Sequence, residues 1–277
     1  MISPLSQREF ELFKNLIKKH AGISFSHRNM PTLQRKLASR INHLGFDSYR
    51  AYYHYLLRDK DGGWELRQLI NRITIDQTSF FRHPKQFEHL ANIILPQIAR
   101  QEKTTKRLRI WSAGCATGEE AYSLAIVVNE MFEGMDGWDI KILASDIDTD
   151  ALKFAYKGLY PGRSIEEIPE EYLKKYFIEC MGEDKGFYLV KEELKKNIIF
   201  RRLNFIGPKF PFSSPLDIIF CRNVMIYFDA QLKKDLIENF YDLLAVDGFL
   251  CLGAAESLVG IDDRFALVGH STYQKQA

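Results

Sequence analysis

The residues whose types and spacing could do chemistry begin with Gly114, Gly118 and Glu120, followed by an acid at Asp146. The first three lie in the run Ile110-Trp-Ser-Ala-Gly-Cys-Ala-Thr-Gly-Glu-Glu-Ala-Tyr-Ser-Leu124. Its opening suits a buried strand, its middle is a run of small residues, and its end has a helical pattern. Glycine lets a backbone turn sharply and come close to a ligand. Thr117 and Glu120 have the spacing of a capping box at a helix start. A strand, a small-residue loop and a helix N-terminus form the place where open α/β sheets hold nucleotide-like ligands. The spacing is neither the dinucleotide fingerprint nor a P-loop, so a tight turn without a ligand is the competing reading. Asp146 ends a second apolar run, Ile140 to Ser145, where an acid typically accepts hydrogen bonds from ribose hydroxyls. The alternative for Asp146, and the expected role of Asp148, is to cap the helix that starts at Thr149.

These residues need elements to hold them. Residues 1–75 read as helices: Phe10, Phe13 and Ile17 recur at helical spacing, then Leu33, Leu37, Ile41 and Leu44, then Ser48 to Leu57, then Trp64 to Ile73. Gly45 suits a helix C-terminus. Residues 76–96 read as a linker and a first helix that runs to Pro96. From residue 97 onward apolar strands alternate with helices, which argues for a mostly parallel sheet covered on both faces. The alternation lapses around 177–203, where Gly186–Lys191 and Asn197–Leu203 suggest a small antiparallel insertion.

Composition narrows the class. The chain has 277 residues, 46% apolar and 27% charged, as a globular protein does. It has no apolar run of the roughly 18–20 residues that span a bilayer, and its start lacks the apolar core of a signal peptide. Four cysteines, at 115, 180, 221 and 251, form no C-x-x-C pair, so neither metal nor a disulfide framework is expected, and a reducing cytoplasm is. Residues 1–75 hold 13 basic against 6 acidic residues, a net of +7, and the remainder 25 against 30, a net of −5. A basic first domain suits an acidic macromolecular partner, or is an ordinary solvated surface.

Four segments in order carry a family resemblance: Thr78-Ser-Phe-Phe-Arg82, Ser112 to Glu120, Ser145-Asp-Ile-Asp148, and Phe220-Cys-Arg-Asn-Val-Met-Ile-Tyr-Phe228. Together they resemble the chemotaxis receptor methyltransferases of the CheR type, over nearly the whole chain. The resemblance implies a small N-terminal helical bundle and a Rossmann-like class I methyltransferase domain, mostly parallel and doubly wound, with a small antiparallel β insertion. The domains expected are 1–75 for receptor docking, 76–96 as linker and first helix, and 97–277 for cofactor, with a β subdomain at about 177–203. It implies S-adenosylmethionine as cofactor, S-adenosylhomocysteine as product and no metal. The substrate would be glutamate side chains on cytoplasmic helical domains of bacterial chemoreceptors. A cytoplasmic monomer that neither binds nucleic acid nor enters the membrane is expected.

The same resemblance assigns residues. Thr78 and Arg82 would hold the methionine end of the cofactor, Arg82 pairing with its carboxylate in the two-pronged manner that arginine suits. Gly114 and Glu120 would be loop contacts, Asp146 the ribose ligand, and Asn204 and Phe205 the pair beside the adenine. Cys221, Arg222 and Asn223 would lie next to the methionine moiety, and Tyr227 would face the methyl group. Asp76 stands where the family often has asparagine. The alternatives are an interdomain salt bridge for Arg82 and a core tyrosine for Tyr227. Arg35, Lys36 and Arg40, on a helix from about Thr32 to Leu44, are expected to face solvent and dock an acidic receptor helix.

The implied reaction is an in-line displacement at the sulfonium methyl by a carboxylate oxygen. A glutamate with an unperturbed pKa of about 4.3 is already ionised near neutral pH, so the reaction needs no general base. Proximity and alignment would supply most of the acceleration. Two other functions compete: a nitrogen-directed methyltransferase, and a cofactor-binding module that docks on receptors without catalysis.

Overall fold

The computed structural model describes residues 3–58, 63–74, 77–207, 210 and 212–276. The chain forms two compact units. The first comprises residues 1–75 together with 204–208 and 227–233, and the second comprises the rest.

In the first unit, four helices follow one another: α1 (Gln7–Ala21), α2 (Met30–Leu44), α3 (Tyr49–Arg58) and α4 (Trp64–Ile73). Ser6 opens α1 with a reciprocal capping box to Glu9, and Gly22 closes it in the left-handed conformation. Phe10, Phe13, Ile17, Leu33, Leu37 and Ile41 are fully buried, as the periodicity requires. Leu44, expected to complete the α2 stripe, is exposed at the last turn. The expectation that Lys36 and Arg40 face solvent is corrected here. Arg40 is only 5% exposed and makes a two-pronged contact with buried Glu65, Nε to Oε1 at 2.8 Å and Nη2 to Oε2 at 2.5 Å. The Tyr52 hydroxyl donates to the same carboxylate at 2.6 Å. Burial, then Glu65, pushes the Tyr52 phenol well above its ordinary range. Lys36 donates to the carbonyls of Ile73 and Thr74 at 2.9 and 3.0 Å, which ties it to the end of α4. Arg35 is exposed.

The second unit begins with α5 (Pro84–His89), a π-helical turn (Leu90–Ile94) and α6 (Leu95–Gln101). The expected single helix is thus broken, because Pro96 has no N–H to continue the ladder and a widened turn absorbs the misfit. Then come β1 (Arg107–Ala113), α7 (Glu119–Phe132), β2 (Asp139–Asp146), α8 (Thr149–Lys157), β3 (Leu159–Pro161), α9 (Glu170–Tyr176), β4 (Phe177–Glu179), β5 (Phe187–Val190), α10 (Glu192–Lys195), β6 (Ile198–Arg202), β7 (Leu216–Cys221), α11 (Ala230–Leu243), β8 (Leu244–Leu252), β9 (Phe265–Gly269) and β10 (Thr272–Lys275).

The large sheet has the order β6-β2-β1-β7-β8-β10-β9. Its first five strands run parallel, and β10 and β9 add an antiparallel edge. Every residue of β7 is buried, as a central strand covered on both faces requires. On one face Ile110, Ile142 and Ile218 join a core with Leu124 and Val128 of α7. From the other face Trp111 meets Phe240 of α11, with ring centroids 5.5 Å apart.

The small antiparallel sheet exists, with the expected Gly186–Lys191 strand at its centre as β5, but without the expected strand over Asn197–Leu203. Its order is β3-β5-β4, so it draws its first strand from Leu159–Pro161. The strand over Asn197–Leu203 is β6, which pairs parallel with β2 from Ile142–Ile198 to Asp146–Arg202. Its half-exposed alternation is that of an edge strand of the large sheet. Among the described residues no helix is long and apolar enough to cross a membrane.

Candidate active site

The parallel strands end together: β1 at Ala113, β2 at Asp146 and β7 at Cys221, with Ala113 opposite Ser145 and Ser112 opposite Phe220. The loop after β1 is pinned to β2 by its own backbone. The N–H groups of Gly114 and Cys115 both donate to the Ser145 carbonyl, at 2.8 and 2.9 Å. Gly114 has φ +89°, and a Cβ there would lie 2.4 Å from Cγ2 of Val224. At Gly118, with φ +97°, a Cβ would lie 2.7 Å from that of Ala155. Both glycines are therefore required by conformation and by packing.

Gly118 is itself the cap of α7, without a side-chain cap bond, so the capping box expected of Thr117 and Glu120 does not form. Instead Thr117 donates to Glu119 at 2.7 Å. Glu120 turns inward, where one oxygen accepts from Ser112 Oγ and the other from Arg222 Nε, both at 2.7 Å. Arg222 also donates to the Arg82 carbonyl at 2.6 Å and to Gln86 Oε1 at 2.9 Å. Its guanidinium stands over the rings of Phe87 and Phe220. This buried pair joins the loop helix, the end of β7 and the 78–82 segment. Ser123 fixes that segment from below, accepting from the Phe81 N–H at 2.9 Å.

Asp146 is half-buried. Its Oδ2 accepts from the Ala116 N–H and its Oδ1 from the Asp148 N–H, each at 2.9 Å. Burial pushes its carboxyl above the usual range against those two bonds. Asp148 caps α8, accepting from the N–H groups of Asp150 and Ala151. The Cys221 side chain is fully buried, and burial pushes its thiol up, so at this position only the backbone ends the strand. Asn223 adopts φ +61°, its N–H donating to Glu256 Oε2 at 2.8 Å. The Gly253 N–H donates to the same oxygen at 2.8 Å. Glu256, Gln86 and Ser112 were not anticipated from sequence. Glu256 stands three residues beyond Gly253 at the end of a buried run, the one signal that could have marked it.

The remaining expected residues divide between the units. Arg82 is half-buried and donates to the Gln77 carbonyl at 2.9 Å, and among the described residues no carboxylate pairs with it. Thr78 is half-buried. Burial, then Arg222 and Arg82, pulls the adjacent His83 imidazole below its ordinary pKa. Asp76 lies outside the described residues. Asn204, Phe205 and Tyr227 belong to the first unit. There Asn204 donates to the His20 carbonyl at 2.8 Å and accepts from the Ile206 N–H at 3.1 Å. The Tyr227 carbonyl accepts from the Ser24 N–H at 2.8 Å. The Phe205 ring meets that of Phe228 edge-on.

The second unit's residues fit the cofactor that the resemblance implies. Asn223 Oδ1 is a buried acceptor without a partner, which a ligand donor would satisfy. Among the described residues no carboxylate competes for the Arg82 guanidinium, and Asp146 offers acceptor lone pairs at the strand end that suits a ribose.

Comparison with known proteins gives the same direction. Residues 76–274 match the S-adenosylmethionine-binding domain of CheR methyltransferases, and residues 8–74 match their all-alpha domain. The chain is 35% identical to a chemotaxis protein methyltransferase of Borreliella burgdorferi, covering 98% of this chain and 95% of that protein. It is 32% identical to the chemotaxis protein methyltransferase of Escherichia coli, covering 97% and 91%, and 34% identical to chemotaxis protein methyltransferase 2 of Pseudomonas aeruginosa, covering 97% and 93%. Strand-end loop, acid and buried arginine pair thus stand in a chain that belongs, over almost its full length, to the CheR family of S-adenosylmethionine-dependent methyltransferases.

Proposed function

We propose that the protein transfers the methyl group of S-adenosylmethionine to side-chain carboxylates of glutamate on the cytoplasmic helical domains of chemoreceptors, forming methyl esters. The observation that carries this reading is the commitment of the acids at the end of β2 and the start of α7. Asp146 and Glu120 each have both oxygens engaged, by backbone N–H groups or by Ser112 and Arg222. Groups held in this way bind and position. A carboxylate acceptor asks nothing more of them, because it arrives ionised. The relatives' chemotaxis name and the all-alpha first domain support a receptor as substrate.

The cofactor supplies an electrophilic methyl on a sulfonium. This chain's residues do the holding. Arg82 would bind the methionine carboxylate, with Thr78 beside it. Asp146 would accept from the ribose hydroxyls while Gly114 leaves the loop free to turn. Asn223 would offer its unpartnered oxygen to the cofactor's ammonium. Glu120 and Arg222 keep the loop and strand end in register, and the Cys221 backbone completes the wall. Asn204 and Phe205 would flank the adenine, and Tyr227 would orient the acceptor. On the first unit, exposed Arg35 would meet the acidic receptor helix. The work would be done in the cytoplasm, where those receptor domains lie.

The test uses methyl-labelled cofactor and helical receptor fragments in which glutamates are replaced by glutamine. Label should vanish from the fully substituted fragment. Label that persists there would exclude glutamate as the acceptor.

A further inference from the structure

Glu256 has no role in the reading above, yet it is one of the most unusual groups in the second unit. It is 7% exposed. Its Oε2 holds the N–H groups of Asn223 and Gly253, both at 2.8 Å, and so joins the ends of β7 and β8. The fit is close: a Cβ on Gly253 would lie 2.7 Å from that oxygen. Its Oε1 is buried without a partner, as is Asn223 Oδ1. Among the described residues no Lys, Arg or His forms an ion pair with it, whereas the neighbouring Arg222 is committed to Glu120. Its field reaches the strand end, where Glu256 is the first charge after burial to push the Cys221 thiol up. A buried carboxylate without a counter-cation is costly unless something positive comes to it.

Methyl transfer changes the cofactor's charge. The S–CH3 bond breaks, its electron pair stays on sulfur, and a sulfonium of charge +1 becomes a neutral thioether. We propose that Glu256 is a selectivity residue whose uncompensated negative charge, held beside Asn223, favours the sulfonium cofactor over its neutral product and so aids product release. This rests on the placement of Asn223 beside the methionine end of the cofactor.

Calorimetry on the full chain with S-adenosylmethionine and with S-adenosylhomocysteine reads the effect directly. Glu256→Gln keeps an oxygen for the two N–H groups and removes the charge. The ratio of product affinity to cofactor affinity should rise roughly tenfold, the order expected on removing one unit charge at an effective dielectric near 20. Asn223→Asp adds a second carboxylate at the unpartnered oxygen, and should move the ratio the opposite way. It also keeps the test open if Glu256→Gln does not fold. Binding of both ligands with an unmoved ratio in either folded variant would overturn the role of Glu256 alone. Failure of the unsubstituted protein to bind either ligand would overturn the cofactor placement as well.

Discussion

At the scale of single residues, the acids near the loop differ in what they can do. Glu120 is spent on Ser112 and Arg222, and Asp148 on its helix cap. Asp146 stands at a strand end, and its two oxygens are held by backbone N–H groups alone, one each. Asp146→Ala should weaken cofactor binding by about 1–3 kcal/mol, the cost of a lost hydrogen-bonding group. Calorimetry on a folded variant checks this, and unchanged affinity would remove Asp146 from the site. Because burial raises its carboxyl above the ordinary range, protonation should begin to erode binding at a pH above that of an exposed aspartate. The types and positions of Gly114 and Asp146 were legible from sequence, because strand-end loops in parallel sheets have a recognisable grammar, whereas Asn223 came only from the family resemblance. The inward turn of Glu120 was not. Nothing in local spacing tells that Arg222, about a hundred residues away, competes for its carboxylate.

At the scale of elements, α1 does more than bury a stripe. Its C-terminal turn holds two later segments of the first unit. The His20 carbonyl accepts from the Asn204 amide, the Ser24 N–H just beyond the helix donates to the Tyr227 carbonyl, and Lys18 pairs with Asp229 at 2.8 Å. Gly22 sits among them with φ +73°, and a Cβ there would lie 2.5 Å from Cδ2 of Leu232 and 3.3 Å from Cδ1 of Ile206. Gly22→Ala should therefore cost about 1–3 kcal/mol in urea unfolding, from overpacking and backbone strain together. Leu232→Ala in the same chain should restore part of that stability. Stability equal to the unsubstituted protein's would contradict this packing. Long periodic elements such as α1, α2, α7 and β7 were readable from sequence. Of the short strands β5 was readable, within Gly186–Lys191, while β3 and β4 were not. β3 and β4 are three residues each. The β9–β10 turn uses His270 and Ser271, both at positive φ, where the usual signature is Asn-Gly.

At the scale of the molecule, the charge asymmetry survives, but its spokesmen change. Arg40 belongs to a buried cluster with Glu65 and Tyr52, and its loss should destabilise the fold by about 3–5 kcal/mol because a buried carboxylate loses its two-pronged cation. Arg35 is exposed, so Arg35→Glu should leave stability within about 0.5 kcal/mol. It should raise the Michaelis constant for receptor more at low salt than at high salt, as rim charges do. Denaturation curves and steady-state kinetics at two salt concentrations check both. A stable Arg40→Ala variant, or an Arg35→Glu variant with unchanged receptor kinetics, would contradict this division.

The central claim concerns the bond the enzyme makes. Carboxyl methyl esters are hydrolysed by mild base to methanol, whereas methylated nitrogen is not. Receptor fragments labelled by this protein from methyl-labelled S-adenosylmethionine should therefore release their label as volatile methanol on brief alkaline treatment. Label that stays on the protein after that treatment, or cofactor binding with no transfer at all, would contradict methyl esterification of glutamate.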